Sequence, residues 1–252
     1  FHGESHVMYA LASFLKPFCY GRVRGCWFQQ FQFYLANLEK SGNKSIAVIA
    51  NSKNANTCNA DGIEKADMMC KLLAKELNVP QEQIVVASTG VIGQVLPIEP
   101  IKEGIPELVK GLDYNKNEEA ATAIMATDTV KKEYAVQFEI DGKICTIGGM
   151  AKGSGMIHPN MATTLNFITS DCAISSKLLQ EALSEIVKVT YNCLSIDGDT
   201  STNDMVVLMA NGMAENKEIN DNTAEFEIFK SALYEVMANL TRMLAKDGEG
   251  AT

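Results

Sequence analysis

The sequence predicts an α/β fold, and three features predict it. An apolar run rich in β-branched residues, Ile46 to Ala50, is followed by helical periodicity from Gly62 to Leu77 and by a second strand-like run, Ile84 to Ala87. A hairpin pattern occupies the middle of the chain: Tyr134 to Ile140 alternates, Asp141-Gly142 makes the turn, and Ile144 to Ile147 returns. Strand and helix then alternate again, with Leu165 to Thr169 and Met205 to Ala210 extended and Ser175 to Asn192 and Phe226 to Leu244 helical.

Each element has a local reason. Ile46 to Ala50 reads as a buried strand that ends in the polar loop Asn51-Ser52-Lys53-Asn54-Ala55-Asn56. In the first helix Ile63, Ala66, Met69, Leu72, Leu73 and Leu77 recur three or four residues apart, and Asn78 with Pro80 closes the segment. The strand at Ile84 runs into Ser88-Thr89-Gly90-Val91-Ile92-Gly93, a turn whose glycines let backbone N–H groups face a ligand. Ile101 to Leu112 forms a second helix, and the small-residue segment Ala120 to Ala126 leads to Thr127-Asp128-Thr129. Ser175 or Ser176 caps the following helix, and the Met and Phe stripe of the last helix is core. The sequence contains no internal repeat, low-complexity tract or long linker.

Composition excludes several classes. Of 252 residues 46% are hydrophobic, enough for a real core in one large domain or two modest ones. A net charge of -9 argues against nucleic acid, whose binding needs clustered Lys and Arg, and points to a small-molecule partner. Apolar runs fall short of the about 20 residues a membrane span needs. The seven cysteines, Cys19, Cys26, Cys58, Cys70, Cys145, Cys172 and Cys193, are odd in number and widely spaced, with three histidines to join them. That pattern predicts reduced, buried thiols and no structural metal. Met8 to Phe33 is aromatic and acid-poor, which leaves a transit peptide open, but its basic residues are few and no amphipathic period stands out, so a damaged or divergent N-terminus fits better. The chain opens at Phe1 and stops at Thr252 directly after a Gly-rich turn, which reads as part of a longer protein.

The chemistry concentrates in Gly148 to Leu165, which has four glycines before Pro159 and then Met161-Ala162-Thr163-Thr164 against a strand. Glycines let the backbone crowd a reaction centre, and a small residue before a hydroxyl leaves the carbonyl between them open to attack. Such a hydroxyl can attack its own preceding carbonyl, shift the acyl group from nitrogen to oxygen and lose it to water, leaving an N-terminal threonine. The new α-amine has a reference pKa of about 7.7 to 8.0, so a useful fraction is free base at neutral pH and can deprotonate the hydroxyl of the same residue. The spacing by itself also fits an ordinary Gly-rich strand connection.

Five motifs carry a resemblance. Lys152 to Leu165, KGSGMIHPNMATTL, closely resembles the processing signature of the ornithine acetyltransferase (glutamate N-acetyltransferase) family, in which the cut falls between the Ala and Thr of the MAT step. NSKNAN at 51–56, STGVIG at 88–93, DGDTSTND at 197–204 and DGEGAT at 247–252 follow in the family's order. Residues 1 to about 36 do not match, Lys53 stands where the family has glycine, and the family's chain continues past Thr252. The resemblance implies an alpha-chain part, 1–162, and the start of a beta-chain part, 163–252, truncated at its C-terminus.

It also implies the fold and the roles. The fold would be an α/β layered sandwich of sheets and helices of the self-processing N-terminal-threonine acetyltransferase type. Cleavage between Ala162 and Thr163 would free Thr163 as nucleophile and base. Thr89 and Gly90 match the oxyanion-hole pair, Lys152 a substrate-binding lysine, and Glu249 the glutamate that meets the substrate's amino end. Lys152 would also keep the Thr163 amine neutral by like-charge repulsion. Either Thr127 or Thr129 matches a substrate-contacting threonine. Asp197, Asp199, Asn203 and Asp204 lack the spacing of a calcium loop and read as loop-structuring groups near the site. His158, before Pro159, reads as a loop former.

The reaction implied is transfer of acetyl from N-acetylornithine to glutamate, with ping-pong kinetics and no metal or organic cofactor. Acetyl-CoA as a second donor stays open. The implied assembly is a heterotetramer of two alpha and two beta chains, cytoplasmic, or in the mitochondrial matrix of a eukaryote. The rivals are an N-terminal-nucleophile amidohydrolase or aminopeptidase, which would give the acyl group to water, and a non-catalytic partial chain.

Overall fold

The computed structural model describes residues 8–12, 36–159, 164–199, 201 and 203–250. The chain begins with β1 (Met8–Ala12), a helical turn α1 over residues 36–40, β2 (Lys44–Ser45) and β3 (Ala47–Asn51). Helix α2 (Gly62–Leu77) leads to β4 (Ile84–Ser88), which pairs in parallel with β3, Ala47 opposite Ile84 through Asn51 opposite Ser88. The expected strand–helix–strand unit is present. Asn78 ends α2 with a left-handed φ of 55°, its N–H turned back to the carbonyls of Ala74 and Lys75. The buried stripe runs through Ala66, Met69, Cys70 and Leu73, while Ile63 is exposed. All of β4 is buried, but in β3 only Ile49 is, so that strand is less covered than its composition suggests.

Helix α3 (Ile98–Lys110) starts ahead of the expected Ile101, because Pro100 falls in its first turn, where no intrahelical N–H bond is needed. Helix α4 (Asn117–Ala123) takes up much of the small-residue segment. The hairpin of β5 (Lys132–Ile140) and β6 (Lys143–Lys152) turns at Asp141 and Gly142, both with positive φ as a two-residue turn requires. β6 runs well past Ile147: the glycines read as a connection continue the strand to Lys152. A Cβ on Gly149 would come within 3.1 Å of Ile168 and Leu240, so glycine there lets a helix settle closely on the sheet.

β7 (Leu165–Ser170) is followed by α5 (Ser176–Ile186), whose N-cap Ser175 accepts from the Leu178 N–H. Two 3-10 turns, Val187–Val189 and Tyr191–Cys193, replace the end of the helix expected to reach Asn192. β8 (Met205–Ala210) and the long α6 (Ala224–Lys246) complete the chain. The larger sheet has the order β2-β1-β8-β7-β6-β5, antiparallel except for the β7–β8 pair.

Alternation along β4 explains how the two sheets stack. Val85 and Ala87 join the core of the larger sheet, whereas Ile84 and Val86 pack with Met69, Leu73 and Ile105 of α2 and α3. On the far face Phe226, Phe229, Leu233, Val236 and Leu240 of α6, with Leu179 and Leu183 of α5, are buried against the larger sheet. Two sheets thus lie between helices, the layered α/β sandwich that was expected. Each fully buried Leu, Phe or Met contributes about 1.5–3 kcal/mol, so α6 is the main clamp on β5 and β6.

Cys58, Cys70, Cys145, Cys172 and Cys193 form no disulfide. Cys70, Cys145 and Cys172 are buried as expected, but Cys58 and Cys193 are exposed, because they sit in a left-handed loop position and a 3-10 turn rather than on a core face. Cys19 and Cys26 lie outside the described residues. Among the described residues no helix is long and apolar enough to cross a membrane.

Candidate active site

The ends of β4 and β6 and the starts of β7 and β8 meet at one place. At the end of β4, the N–H of Thr89 donates to Asn51 O at 3.0 Å and that of Val91 to Lys53 O at 3.1 Å, while Ala55 N–H donates to Val91 O at 2.9 Å. The STGVIG turn is therefore stitched along the NSKNAN loop. Gly90 has φ +124°, and a Cβ there would lie 2.1 Å from the Lys53 carbonyl carbon, so the turn accepts only glycine. The Gly90 N–H has no acceptor among the described residues. Lys53 itself takes φ +76°, which a glycine would adopt without strain, and so marks a position where this chain departs from the expected pattern at some cost.

Side chains bind a third motif to these two. Ser88 Oγ donates to Asn51 Oδ1 at 2.6 Å, and Asn203 Nδ2 donates to Ser88 O and Asn56 Oδ1, both at 2.9 Å.

Lys152 ends β6 at 2% exposure, and its Nζ donates to Thr89 Oγ1 at 2.6 Å. Burial lowers its pKa to about 8, while the charges of Asp128 and Asp204 resist that shift and Lys132 adds to it. A lysine side chain only donates, so it occupies a lone pair of Thr89 and leaves the threonine's own proton free for another acceptor.

The loop after Lys152 gathers more of the expected residues. Thr127 Oγ1 lies 2.6 Å from Ser154 Oγ, and the N–H of Glu249 donates to Ser154 O at 2.6 Å. The Glu249 carboxyl is stacked over Gly155, where a Cβ would come within 2.9 Å of its Cδ. Thr129 goes elsewhere: its N–H and hydroxyl both donate to Asp247 at the end of α6. Thr127 faces the Lys152 loop and Thr129 is an anchor.

Ala162 and Thr163 lie outside the described residues. Their neighbour Thr164 is buried and held on three sides. Its N–H donates to Asp204 Oδ1 at 2.8 Å, its carbonyl accepts Met205 N–H at 3.0 Å, and its Oγ1 accepts Asn166 Nδ2 at 3.0 Å. Asp197 accepts N–H groups from Met156, from Ile157 at 2.9 Å and from Asp199 at 3.1 Å, the loop-structuring role expected for it. Those bonds outweigh the effect of burial and hold its carboxyl below the usual range. Among the described residues no group of three or more His, Cys, Asp or Glu side chains is placed to hold a metal ion.

Asp204 behaves differently. Burial pushes its carboxyl from the ordinary 3.8 up to about 7, against the Thr164 N–H bond and the Lys152 charge. Between those values the folded protein holds a proton that the unfolded chain has lost. Stability from this group is therefore greatest below pH 3.8 and falls as pH rises to about 7. Asp204→Asn keeps an acceptor for Thr164 but cannot ionise. Melting curves at several pH values should show the variant gaining on the wild type between pH 4 and 7, and a pH-independent difference would contradict the assignment.

Sequence reasoning missed Lys132, Asp128 and Asp247 in this region. Lys132 is completely buried, with its Nζ 2.6 Å from each of the two carboxylates. Asp128 stands only four residues before Lys132, but the second carboxylate, Asp247, comes from the far end of the chain.

The strand ends of this layered α/β protein thus bring together a glycine-backed threonine, a buried lysine and a clamped threonine segment. A family model described as "ArgJ family" matches residues 32–252, and the chain belongs to that family. It is 50% identical over 207 residues to arginine biosynthesis bifunctional protein ArgJ 1 of Clostridium acetobutylicum, covering 82% of this chain and 51% of the relative. The ArgJ of Caldanaerobacter subterraneus subsp. tengcongensis is 49% identical over 210 residues, covering 83% of this chain and 52% of that one. The chain thus spans about half the length of the curated relatives it matches. A crystal structure of ArgJ from Bacillus halodurans is 37% identical, with a TM-score of 0.48 over 53% of this chain and 70% of that one.

Proposed function

We propose that the chain carries the acyl-transfer machinery of a glutamate N-acetyltransferase of arginine biosynthesis, moving acetyl from N-acetylornithine to glutamate through an ester on Thr163. The observation that carries this reading is the Thr89–Gly90 turn, with one hydroxyl donor polarised by Lys152 and one backbone N–H without an acceptor among the described residues. Relatives at about half identity, named for arginine biosynthesis, support the pathway.

In this reading Thr163 Oγ first attacks the Ala162 carbonyl, and hydrolysis of the resulting ester separates residues 1–162 from 163–252. The freed amine of Thr163 then takes the proton from its own hydroxyl as Oγ attacks the acetyl carbonyl of N-acetylornithine. Thr89 and Gly90 donate to the oxyanion, ornithine leaves with the proton, and the glutamate amine attacks the acetyl-threonine. Thr127 and Glu249, both at the Lys152 loop, contact the substrate, the Glu249 carboxylate pairing with the substrate's ammonium group. Lys152 serves the oxyanion donor and, as a nearby cation, keeps the Thr163 amine neutral.

The relatives' names call them bifunctional, and acetyl-CoA stays open as a second donor. No metal or organic cofactor takes part, the assembly is two alpha and two beta pieces, and the compartment is the cytoplasm. Ornithine release from N-acetylornithine, measured with and without glutamate, tests the activity. Turnover that depends on glutamate is expected; steady release of ornithine and acetate without glutamate would make the enzyme a hydrolase.

A further inference from the structure

The most deeply buried cation near this site takes no part in the chemistry above. Lys132, the first residue of β5, donates from Nζ to Asp128 Oδ1 and Asp247 Oδ2, both at 2.6 Å, and to Val130 O at 3.2 Å. The three side chains are 0%, 1% and 3% exposed. A buried ammonium keeps its charge only when paired and hydrogen-bonded, and all three of its donors are used here.

Each carboxylate continues into a different segment. Asp128 accepts the N–H of Gly153 at 2.6 Å and that of Ala126 at 3.1 Å, thereby gripping the main chain on one side of Thr127 and directly after Lys152. Asp247 accepts the Thr129 N–H and hydroxyl, and lies two residues before Glu249, whose own N–H reaches Ser154. Burial alone would raise both carboxyls. The Lys132 ammonium and these N–H and O–H donors outweigh it and hold both below the usual range. One lysine is therefore the common partner of the segments around Thr127, Lys152 and Glu249, which are remote from one another in sequence.

We propose that Lys132 is a positioning residue: through Asp128 and Asp247 it fixes the mutual register of the three segments that present Thr127, Lys152 and Glu249, and it touches no substrate itself. The proposal rests on the reading of those three as site residues. Lys132→Met keeps the length of the side chain but leaves two buried carboxylates facing each other without a cation, and they must separate or take up a proton. The three segments should then lose register together while β7 and β8, held by their own ladder and the α6 core, keep theirs.

Hydrogen–deuterium exchange of the whole protein, wild type against Lys132→Met, reads this directly. The expected result is exchange roughly tenfold faster or more in residues 126–130, 153–157 and 247–250 together, with β7 and β8 unchanged. In parallel, kcat/KM for ornithine release should fall by roughly a hundredfold, with KM for N-acetylornithine raised, since misplacement of about an ångström costs that much. Faster exchange throughout the protein, unchanged exchange in the three segments, or loosened segments with unaltered kcat and KM would each overturn the proposal.

Should Lys132→Met not fold, Asp247→Asn keeps the Lys132–Asp128 pair and should loosen 247–250 while 126–128 and the Gly153 amide, held by Asp128, stay protected. Unchanged exchange in 247–250 overturns the proposal equally. A wild-type protein that releases no ornithine with glutamate would defeat the proposed activity, and exchange would still decide the role of Lys132.

Discussion

Thr163→Ala is expected to remain a single chain and to release no ornithine. Both steps of the proposed chemistry start from the same oxygen: cleavage needs Thr163 Oγ to reach the Ala162 carbonyl, and transfer needs it to carry the acetyl group. Alanine removes the nucleophile and, by preventing cleavage, also the free amine that would act as base. No neighbouring hydroxyl takes over, because Thr164 is buried, with its N–H on Asp204 and its Oγ1 occupied by Asn166. Thr163→Ser retains a hydroxyl and should still cleave, at a reduced rate. A denaturing gel and an ornithine assay on the three proteins check both outcomes. Activity in an uncleaved Thr163→Ala protein would remove Thr163 from the mechanism.

Thr89→Ala carries the next largest expected effect. Losing one oxyanion donor costs about 2.7–4 kcal/mol of transition-state stabilisation, a factor of roughly a hundred to a thousand in kcat. The structure adds a second loss. Without Thr89 Oγ1, the buried Lys152 ammonium has no acceptor at 2.6 Å, so its neutral form is favoured still further. Cleavage should slow along with transfer, since the tetrahedral intermediate of each forms against the same donors. Thr89→Ser keeps the hydroxyl and the Lys152 bond and should stay within a few-fold of the wild type. An unchanged kcat in Thr89→Ala would take this residue out of the site.

Much of this arrangement was legible in the sequence for physical reasons. Helix α2 falls on its expected bounds because its periodicity is strong and Asn78 supplies a left-handed stop. The Asp141-Gly142 hairpin follows from turn chemistry, and the threefold convergence of the 51–56, 88–93 and 197–204 motifs follows from matching a family whose order they keep. What escaped were features set by neighbours in space. Gly149 reads as a loop until Leu240 of α6 is seen lying against it, and whether Thr127 or Thr129 faces the Lys152 loop depends on Asp247, more than a hundred positions away. Lys132 escaped notice because its second counterion, Asp247, arrives only by tertiary folding.

The central claim, that Thr163 becomes an N-terminal nucleophile, is tested most directly by intact mass spectrometry of the purified protein. The account predicts two pieces whose masses place the break between Ala162 and Thr163, with an unmodified threonine amine on the second. A single uncut mass in a preparation that releases ornithine with glutamate, or a break at any other bond, would contradict it.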